Sequence, residues 1–232
     1  MELPGVAAAS DQAREALGRA HRHRANLRRW PVTAAEAALR SARASAVLDG
    51  GGRKLDDQLD VSVMEDPVFA GALRVAQALA RLHMLAAADR VDESRLGRPR
   101  ADADVGPRLE LLTEIMTGAT KAPAPVIAAV AHGELLTLAP FGTADGVVAR
   151  AVSRLVTIAT GLDPHGLGVP EVEWMRRAAD YRDAARGFAD GTPEGMTAWL
   201  VLSCRAMRTG AQEALSIAET LAEGPASAGS DE

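Results

Sequence analysis

The chain has 232 residues, of which 47% are hydrophobic and 3% aromatic, and its 26 basic and 31 acidic side chains give a net charge of −5. This length suffices for one large domain with an extension, and the few aromatic residues predict a core of Ala, Leu, Val and Met. The charge argues against a nucleic-acid partner, which would favour a clustered basic surface. We interpret the locally basic stretch 21–29 as a solvated helix face.

Cysteine usage and hydropathy predict a soluble cytoplasmic protein. Cys204 is the only cysteine, so no intrachain disulfide can form. No uncharged apolar stretch reaches the ~18 residues that a membrane span requires. The N-terminal residues lack a basic region followed by an apolar one, so we predict no signal peptide. We expect neither a membrane nor a nucleic-acid partner, while a protein partner and an oligomer stay open.

The first predicted elements form an N-terminal helical extension over residues 1–65. Ser10 is a candidate cap for a helix that runs to Arg29 and ends at Trp30-Pro31, because a residue before proline disfavours the α region. A capping box that starts at Thr33 predicts a second helix to Leu48, before a run of glycines.

Residues 66–222 are predicted to form the main helical domain. Asp66-Pro67 opens a helical stretch, either continuous or divided before Met84, and the polar segment 92–107 is predicted to be a loop that leaves room for a short β-hairpin flap. The tail, 223–232, is small and polar and is predicted to be disordered. Further helices are predicted at 107–117, 123–138, 145–161, 170–189 and 193–222.

One turn between predicted helices has the composition of an anion site. A helix ends near Leu138, Pro140-Phe141-Gly142 forms a turn, and Thr143 or Asp145 can cap the next helix. The free N–H groups at such a helix N-terminus suit a phosphate. Most helix–loop–helix turns bind nothing, so this pattern alone leaves the function undecided.

The same segment resembles the signature of the Fic (Fido) family, H-P-F-x-(D/E)-G-N-G-R-x-x-R, and reads A-P-F-G-T-A-D-G-V-V-A-R over Ala139–Arg150. Leu79–Leu85 is similar to the family's E-L-H-x-x-L helix, and 96–100 to its G-x-Y-R segment. The resemblance covers about 66–222 and implies an all-α, Fic-like helical bundle. The positions that match the signature in register are Pro140, Phe141, Gly146 and Arg150.

Four functional positions of the family's signature are changed here. Ala139 replaces the histidine that acts as general base, a contribution typically worth ~10²–10⁴-fold. Thr143 replaces the Mg²⁺-binding carboxylate, Asp145 replaces the asparagine, and Val147 replaces a phosphate-binding arginine. We therefore identify no catalytic residue and no metal ligand. The resemblance implies a vestigial nucleotide loop made of Pro140, Phe141, Gly142, Thr143, Ala144, Asp145, Gly146, Val147 and Arg150.

Two histidines near this loop are interpreted as structural. His132 lies seven residues before Ala139, about 10 Å by helix rise, which is too far to replace the missing base. His83 falls at the histidine of the family's E-L-H-x-x-L helix.

A second segment resembles the inhibitory helix that precedes many Fic domains, (S/T)-x-x-x-E-(G/N). It runs from Ser45 to Asp49-Gly50, and the resemblance implies an inhibitory-type pair between Asp49 and Arg150. Aspartate is one methylene shorter than glutamate, so the reach of this pair is open. The alternative is that Arg150 bonds the carbonyl groups at a helix C-terminus.

Three functions are compatible with these patterns. The first is a Fic-like pseudoenzyme with a regulatory or protein-interaction role, in which adenylyl transfer is lost. The second is a divergent transferase that moves AMP or phosphate onto a protein Ser, Thr or Tyr. The third is a purely structural helical bundle. We expect no cofactor, and ATP with Mg²⁺ only if activity remains.

Overall fold

The computed structural model describes residues 3–50 and 75–223, and in these ranges the secondary structure is helical, without a strand. The all-α fold predicted from the sequence is thus confirmed. In chain order the helices are α1 (Val6–Arg22), α2 (Arg24–Leu48), α3 (Val75–Ala87), α4 (Val105–Glu114), α5 (Ala124–Leu138), α6 (Asp145–Ala159), α7 (Pro170–Arg176), α8 (Ala178–Ala189) and α9 (Pro193–Glu223).

Helices α5 and α9 organise the packing of the others. α5 is apolar around its whole circumference, and such a helix is stable only when it is surrounded by protein. It packs against α6, α8 and α9. α9 has 31 residues, about 46 Å of helix, and it contacts α1, α2, α5, α7 and α8. α6, which carries the predicted loop at its N-terminus, packs against α5, α3 and α2.

The core contains many alanines, as the composition predicts, but its largest side chains are aromatic. Trp174 and Trp199 are 1% and 0% exposed, and Tyr181 and Phe188 pack beside them. The expectation of a core of Ala, Leu, Val and Met is therefore wrong, because these four aromatic residues are gathered in one place between α5, α7, α8 and α9.

The predicted boundary between the first two helices is wrong. α1 ends at Arg22, His23 is extended, and α2 then runs through Pro31 with a kink at Arg29 (φ −133°, ψ 25°). The Asn26 side chain donates to the carbonyl of Ala20 at 2.8 Å, which satisfies the end of α1. Pro31 is tolerated because it falls in the first turn after the kink, where its missing N–H is not needed. Thr33 bonds back to the carbonyl of Trp30 and caps nothing.

Later elements follow the sequence more closely. The end of α2 at Leu48 is confirmed, as are the helices over 107–117, 123–138, 145–161 and 193–222 within a few residues. The Thr192 hydroxyl accepts the N–H of Gly195 at 3.1 Å, the predicted cap of α9. Of the two alternatives at Met84, the structure shows the continuous helix, since α3 runs through this residue, while the start at Asp66-Pro67 lies outside the described residues.

The predicted helix over 170–189 is divided at Arg177 (φ −115°, ψ 45°). The division allows α7 to pack against α2 and α9, while α8 packs against α5 and α9. The predicted tail, 223–232, falls almost entirely outside the described residues. The domain boundary at 65/66 also lies outside them and stays a prediction, although α1 and α2 pack on α9.

The segment 92–107 contains no hairpin. It has one 3-10 turn, Glu93–Arg95, and is otherwise irregular up to α4. Arg100 explains this, because its N–H donates to the carbonyl of Pro140 at 2.7 Å. At Arg100 the backbone of the segment thus bonds to the loop before α6 and does not pair with a second strand. Among the described helices, none is both long and apolar enough to cross a membrane.

Gly210 allows α9 to cross the start of α7 closely, and its replacement tests this packing. A Cβ atom at Gly210 would lie 2.6 Å from the backbone N of Pro170 and 2.7 Å from the backbone C of Val169. We expect Gly210→Ala to lower the free energy of unfolding by about 1–3 kcal/mol, the usual cost of overpacking. Urea denaturation measures this change in the free energy of unfolding.

The control is Gly106→Ala in α4, where a Cβ meets nothing within 4 Å. The free energy of unfolding of this variant should stay equal or rise by up to ~1 kcal/mol. Equal effects of the two substitutions would contradict the close crossing.

Candidate functional site

The loop between α5 and α6 is shaped by residues in the left-handed region. Ala139 has φ 45° and ψ 59°, Gly142 has φ 73°, and Ala144 has φ 55° directly before the first residue of α6. An alanine in this region costs roughly 1–2 kcal/mol. Conformations of this kind persist only where the surrounding structure enforces them.

Arg100 holds the loop from the α5 side. Its Nε donates to the carbonyl of Ala139 at 3.0 Å and its Nη2 to the carbonyl of Leu138 at 2.9 Å. These carbonyl groups lie at the C-terminus of α5, where no intrahelical donor is left and a cation is favourable. Asp102 pairs with the same guanidinium.

His83 holds the loop from α3. Its ring is 1% exposed and stacks on Phe141 with the ring centroids 4.1 Å apart. Nδ1 accepts the N–H of Gly97 at 3.0 Å, so the proton lies on Nε2, which donates to the Thr143 hydroxyl at 3.2 Å. Burial lowers the pKa of His83, which favours the neutral ring. Both ring nitrogens are thus used to position the loop.

Asp145 occupies the anion-binding side of the loop with its own carboxylate. Oδ1 accepts the N–H of Phe141 at 2.9 Å, and the N–H of Gly142 also interacts with this side chain. Burial raises the pKa of Asp145, although both N–H groups oppose the shift. Neither Thr143 nor Asp145 caps α6 with its side chain, which corrects the predicted cap. Asp145 is the first residue of α6 and points back into the loop.

Arg150 of α6 is 2% exposed and is held by the C-terminal end of α2. Its Nε donates to the Ser45 hydroxyl at 2.6 Å, and its Nη2 donates to the Ser45 carbonyl at 3.0 Å. Nη2 also lies 2.5 Å from Oδ1 of Asp49. The two contacts proposed as alternatives, with a carboxylate and with a helix C-terminal carbonyl, therefore occur together.

Gly146 lets the end of α2 approach α6 this closely. A Cβ atom at this position would lie 2.5 Å from Oδ1 of Asp49. The carboxylate of Asp49 thus lies over the first turn of α6. With Asp145, it places two carboxylates of the protein at a helix N-terminus, where negative charge is favourable.

Behind Arg150 lies an enclosed aromatic cluster. Nη1 of Arg150 donates to the Tyr181 hydroxyl at 3.4 Å, and that hydroxyl lies 2.8 Å from Nε2 of His132. His132 is 0% exposed and packs edge-on against Trp174 and Trp199. Burial, and then the positive charge of Arg150, lower the pKa of His132 well below its ordinary value. His132 is therefore a neutral core residue.

The structure brings the residues of the predicted loop and Asp49 together around the start of α6. Sequence reasoning missed Arg100 and Tyr181 as partners of this site. Tyr181 is the only tyrosine of the chain, and Arg100 follows a proline in the segment compared with G-x-Y-R, but neither signal identifies a partner. Among the described residues, no group of three or more His, Cys, Asp or Glu side chains is arranged to hold a metal ion.

Comparison with solved structures finds the same architecture in a Fic family protein. The crystal structure of a Fic family protein from Desulfovibrio desulfuricans G20, at 2.70 Å resolution, matches with a TM-score of 0.73. The match covers 93% of this chain and 75% of that one at 18% identity. The likeness shows the fold, so the predicted Fic-like fold is confirmed. No protein-family model and no curated protein matches the sequence.

Removal of Asp49 tests the buried ion pair. Breaking such a pair costs about 3–5 kcal/mol because one charge is left uncompensated. Asp49 is 16% exposed, so we expect Asp49→Ala to lower the free energy of unfolding by about 3 kcal/mol, measured by urea denaturation.

The matched control is Asp11→Ala, which removes an exposed carboxylate 2.7 Å from Arg14 and should cost less than about 1 kcal/mol. The variant Asp49→Ala/Arg150→Met should be less destabilised than the sum of its single changes, because it leaves no lone buried charge. Equal costs for Asp49→Ala and Asp11→Ala would show that the pair contributes no stability.

Burial of His132 makes the stability depend on pH. An unfolded histidine titrates near pH 6.5, whereas the folded pKa of His132 is well below that value. Below about pH 6.5 the unfolded state binds a proton that the folded state rejects, so stability falls as the pH falls. Protonation of this histidine in the unfolded state lowers the free energy of unfolding by up to ~1.4 kcal/mol for each pH unit below about 6.5. Urea denaturation between about pH 7.5 and about pH 5.5 should give a shallower dependence for His132→Gln. Identical slopes for the two proteins would refute the assignment.

Proposed function

We propose that this chain is a catalytically degenerate, Fic-like cytoplasmic protein with a regulatory or protein-interaction role, in which adenylyl transfer to hydroxyl side chains is lost. The observation that carries the proposal is the occupation of the α6 N-terminus by Asp49 and Asp145. A nucleotide phosphate at this place would lie against two carboxylates, and like charges at short range repel strongly.

The absence of a base at the loop supports the same conclusion. Ala139 has no proton acceptor in its side chain, and the two nearby histidines do not replace it. His83 uses both of its ring nitrogens within the protein and is 1% exposed. His132 is 0% exposed and bonds Tyr181. A general base has to reach the proton that it removes directly or through one water molecule, which neither histidine does from its place in the fold.

The cationic side of the site is also unsuited to phosphate. Val147 supplies no charge, and the donors of Arg150 are directed at Ser45, Asp49 and Tyr181. The loop that once suited an anion is therefore closed by groups of the chain itself. We propose that such a loop has a structural use, in which α6, α2 and α3 are joined through it.

The pair between Asp49 and Arg150 favours a second candidate function. An inhibitory-type contact is useful when there is an activity to inhibit, and Arg150 is the cation that would meet a phosphate after Asp49 leaves. A divergent transferase, held inactive by the end of α2, would have this arrangement. Its base and metal ligand would then have to come from residues other than Ala139 and Thr143.

Labelled ATP distinguishes the two candidates. Purified wild-type protein and Asp49→Ala are incubated with ATP labelled at the α-phosphate and with Mg²⁺ or Mn²⁺, and self-modification is followed by autoradiography. We expect no labelling of either protein, because the release of Arg150 restores a cation but no base. Calorimetry should detect weak or no ATP binding to the wild type, since Asp145 remains in the loop.

Two variants complete the test. Arg150→Ala separates a specific reaction from background labelling, and Asp145→Asn removes the charge from the loop while it keeps an oxygen for the Phe141 N–H. Labelling of the wild type or of Asp49→Ala that disappears in Asp49→Ala/Arg150→Ala would overturn the proposal in favour of the divergent transferase. Tighter ATP binding by Asp145→Asn than by wild type would support the account of the blocked loop.

A further inference from the structure

The junction of α1 and α2 exposes apolar and basic side chains together. Its apolar members are exceptionally exposed, with Leu27 at 68%, Val32 at 49% and Trp30 at 38%. Apolar patches that are surrounded by charged residues mark interaction sites more often than scattered exposed leucines do. We define the kink patch as the exposed residues Arg22, Arg24, Leu27, Arg28, Trp30 and Val32.

The arginines of the kink patch are unpaired in the part of the chain that the structure describes. Arg22, Arg24 and Arg28 are exposed and contact no carboxylate there. By contrast, Arg14 and Arg19 on the preceding helix each have a carboxylate at 2.7 Å. These three unpaired cations lie within residues 22–28 of a chain whose net charge is −5. The patch is thus complementary to a negatively charged partner.

The kink patch is held in one conformation. The Trp30 ring stacks on the His165 ring with the centroids 4.2 Å apart and the planes 12° from parallel. Arg29, at the kink, donates to the carbonyl of Leu221 at 3.2 Å, and Asn26 bonds the end of α1. A rigid aromatic side chain loses little conformational entropy when a partner covers it.

The arrangement fits a protein segment better than a lipid surface or a nucleic acid. Arg24, Leu27 and Arg28 share one helix face before the kink by their spacing, so charged and apolar groups alternate there. A helix that lies on a membrane separates these groups onto opposite faces, and here the opposite face is buried, at Ala25 and Asn26. Single-stranded nucleic acids need aromatic rings for base stacking, and Trp30, the aromatic ring of the kink patch, already stacks on His165.

We propose that the kink patch binds an acidic segment of a partner protein that also carries an apolar anchor side chain. Arginine pairs with carboxylates through two parallel N–H donors, which gives both strength and direction. Arginine and tryptophan are also the side chains that contribute most to the energy of protein interfaces. Leu27 and Val32 supply the apolar surface against which the anchor packs.

A synthetic peptide tests the proposal with the full chain. The probe is a fluorescein-labelled peptide of repeated Glu-Glu-Leu triplets, and its binding is followed by fluorescence anisotropy. We expect binding that weakens as salt is added, because exposed charges are screened. Bound peptide should also protect the protein from iodide quenching. Trp174 and Trp199 are 1% and 0% exposed, so the quenching signal reports on Trp30.

Variants locate the binding. Arg24→Glu/Arg28→Glu should weaken binding at least about tenfold, and Leu27→Ser should weaken it without any change of charge. The matched control, Arg182→Glu/Arg205→Glu, makes the same change of charge at exposed arginines of α8 and α9 and should bind as the wild type does. Circular dichroism of each variant verifies the fold.

Three results would overturn the proposal. The first is no binding of the acidic peptide, or binding without protection of Trp30. The second is equal weakening by the patch variant and the control variant, which would indicate a general electrostatic attraction. The third is tighter binding of a single-stranded oligothymidylate, or of phosphatidylserine-containing vesicles, than of the peptide. A peptide of repeated Lys-Lys-Leu triplets should not bind.

Discussion

The buried guanidinium of Arg150 is the constraint on which the rest of this site depends. A charge that is 2% exposed is tolerated only if its donors are satisfied and an opposite charge is near. Ser45 and Asp49 of α2 and Tyr181 of α8 meet this need. The position of α2 against α6 therefore follows from the requirement of one side chain. Gly146 is part of the same constraint, since only a residue without Cβ admits Asp49 at that distance.

The loop before α6 is held in shape by side chains of the protein itself. Arg100 bonds the carbonyl groups at one end, His83 supports the middle, and Asp145 accepts the N–H of Phe141. Ala144, at a position where the Fic signature has glycine, still adopts a left-handed conformation. The scaffold thus remains while the groups that would act on a nucleotide are replaced. This combination is why we favour a degenerate protein, and the fold alone would not distinguish it from an active one.

The elements that could be predicted from the sequence are those with local signals. α6 and α9 have apolar periodicity, α5 is a continuous apolar run, and Gly and Pro residues flank them, so the sequence predicts their bounds within a few residues. The break at His23 and the division at Arg177 had no such signal, because they depend on contacts with distant helices. The predicted helix end at Pro31 is wrong because a proline either ends a helix or occupies its first turn, and the local sequence does not distinguish the two. The docking of Arg100 and the contact of Arg150 with Tyr181 are tertiary contacts between residues far apart in the chain. Two contacts of Arg150 are expected from the sequence: the contact with Asp49, which the resemblance implies, and the alternative contact with a carbonyl group at a helix C-terminus.

Helix α2 connects the two surfaces discussed above. The kink patch spans the end of α1 and the first turns of α2, and the C-terminal end of α2 places Ser45 and Asp49 against Arg150. A partner that binds the patch only while α2 is docked on α6 shifts the equilibrium towards the state with the Asp49–Arg150 contact. A partner that binds only when α2 is displaced shifts the equilibrium away from that contact. The kink at Arg29 lies within the kink patch, so motion confined to the residues before the kink need not reach Asp49. The bond from Arg29 to the carbonyl of Leu221 ties the kink to α9. Coupling between the two surfaces therefore requires that α2 moves as one body after the kink, with Arg29 released.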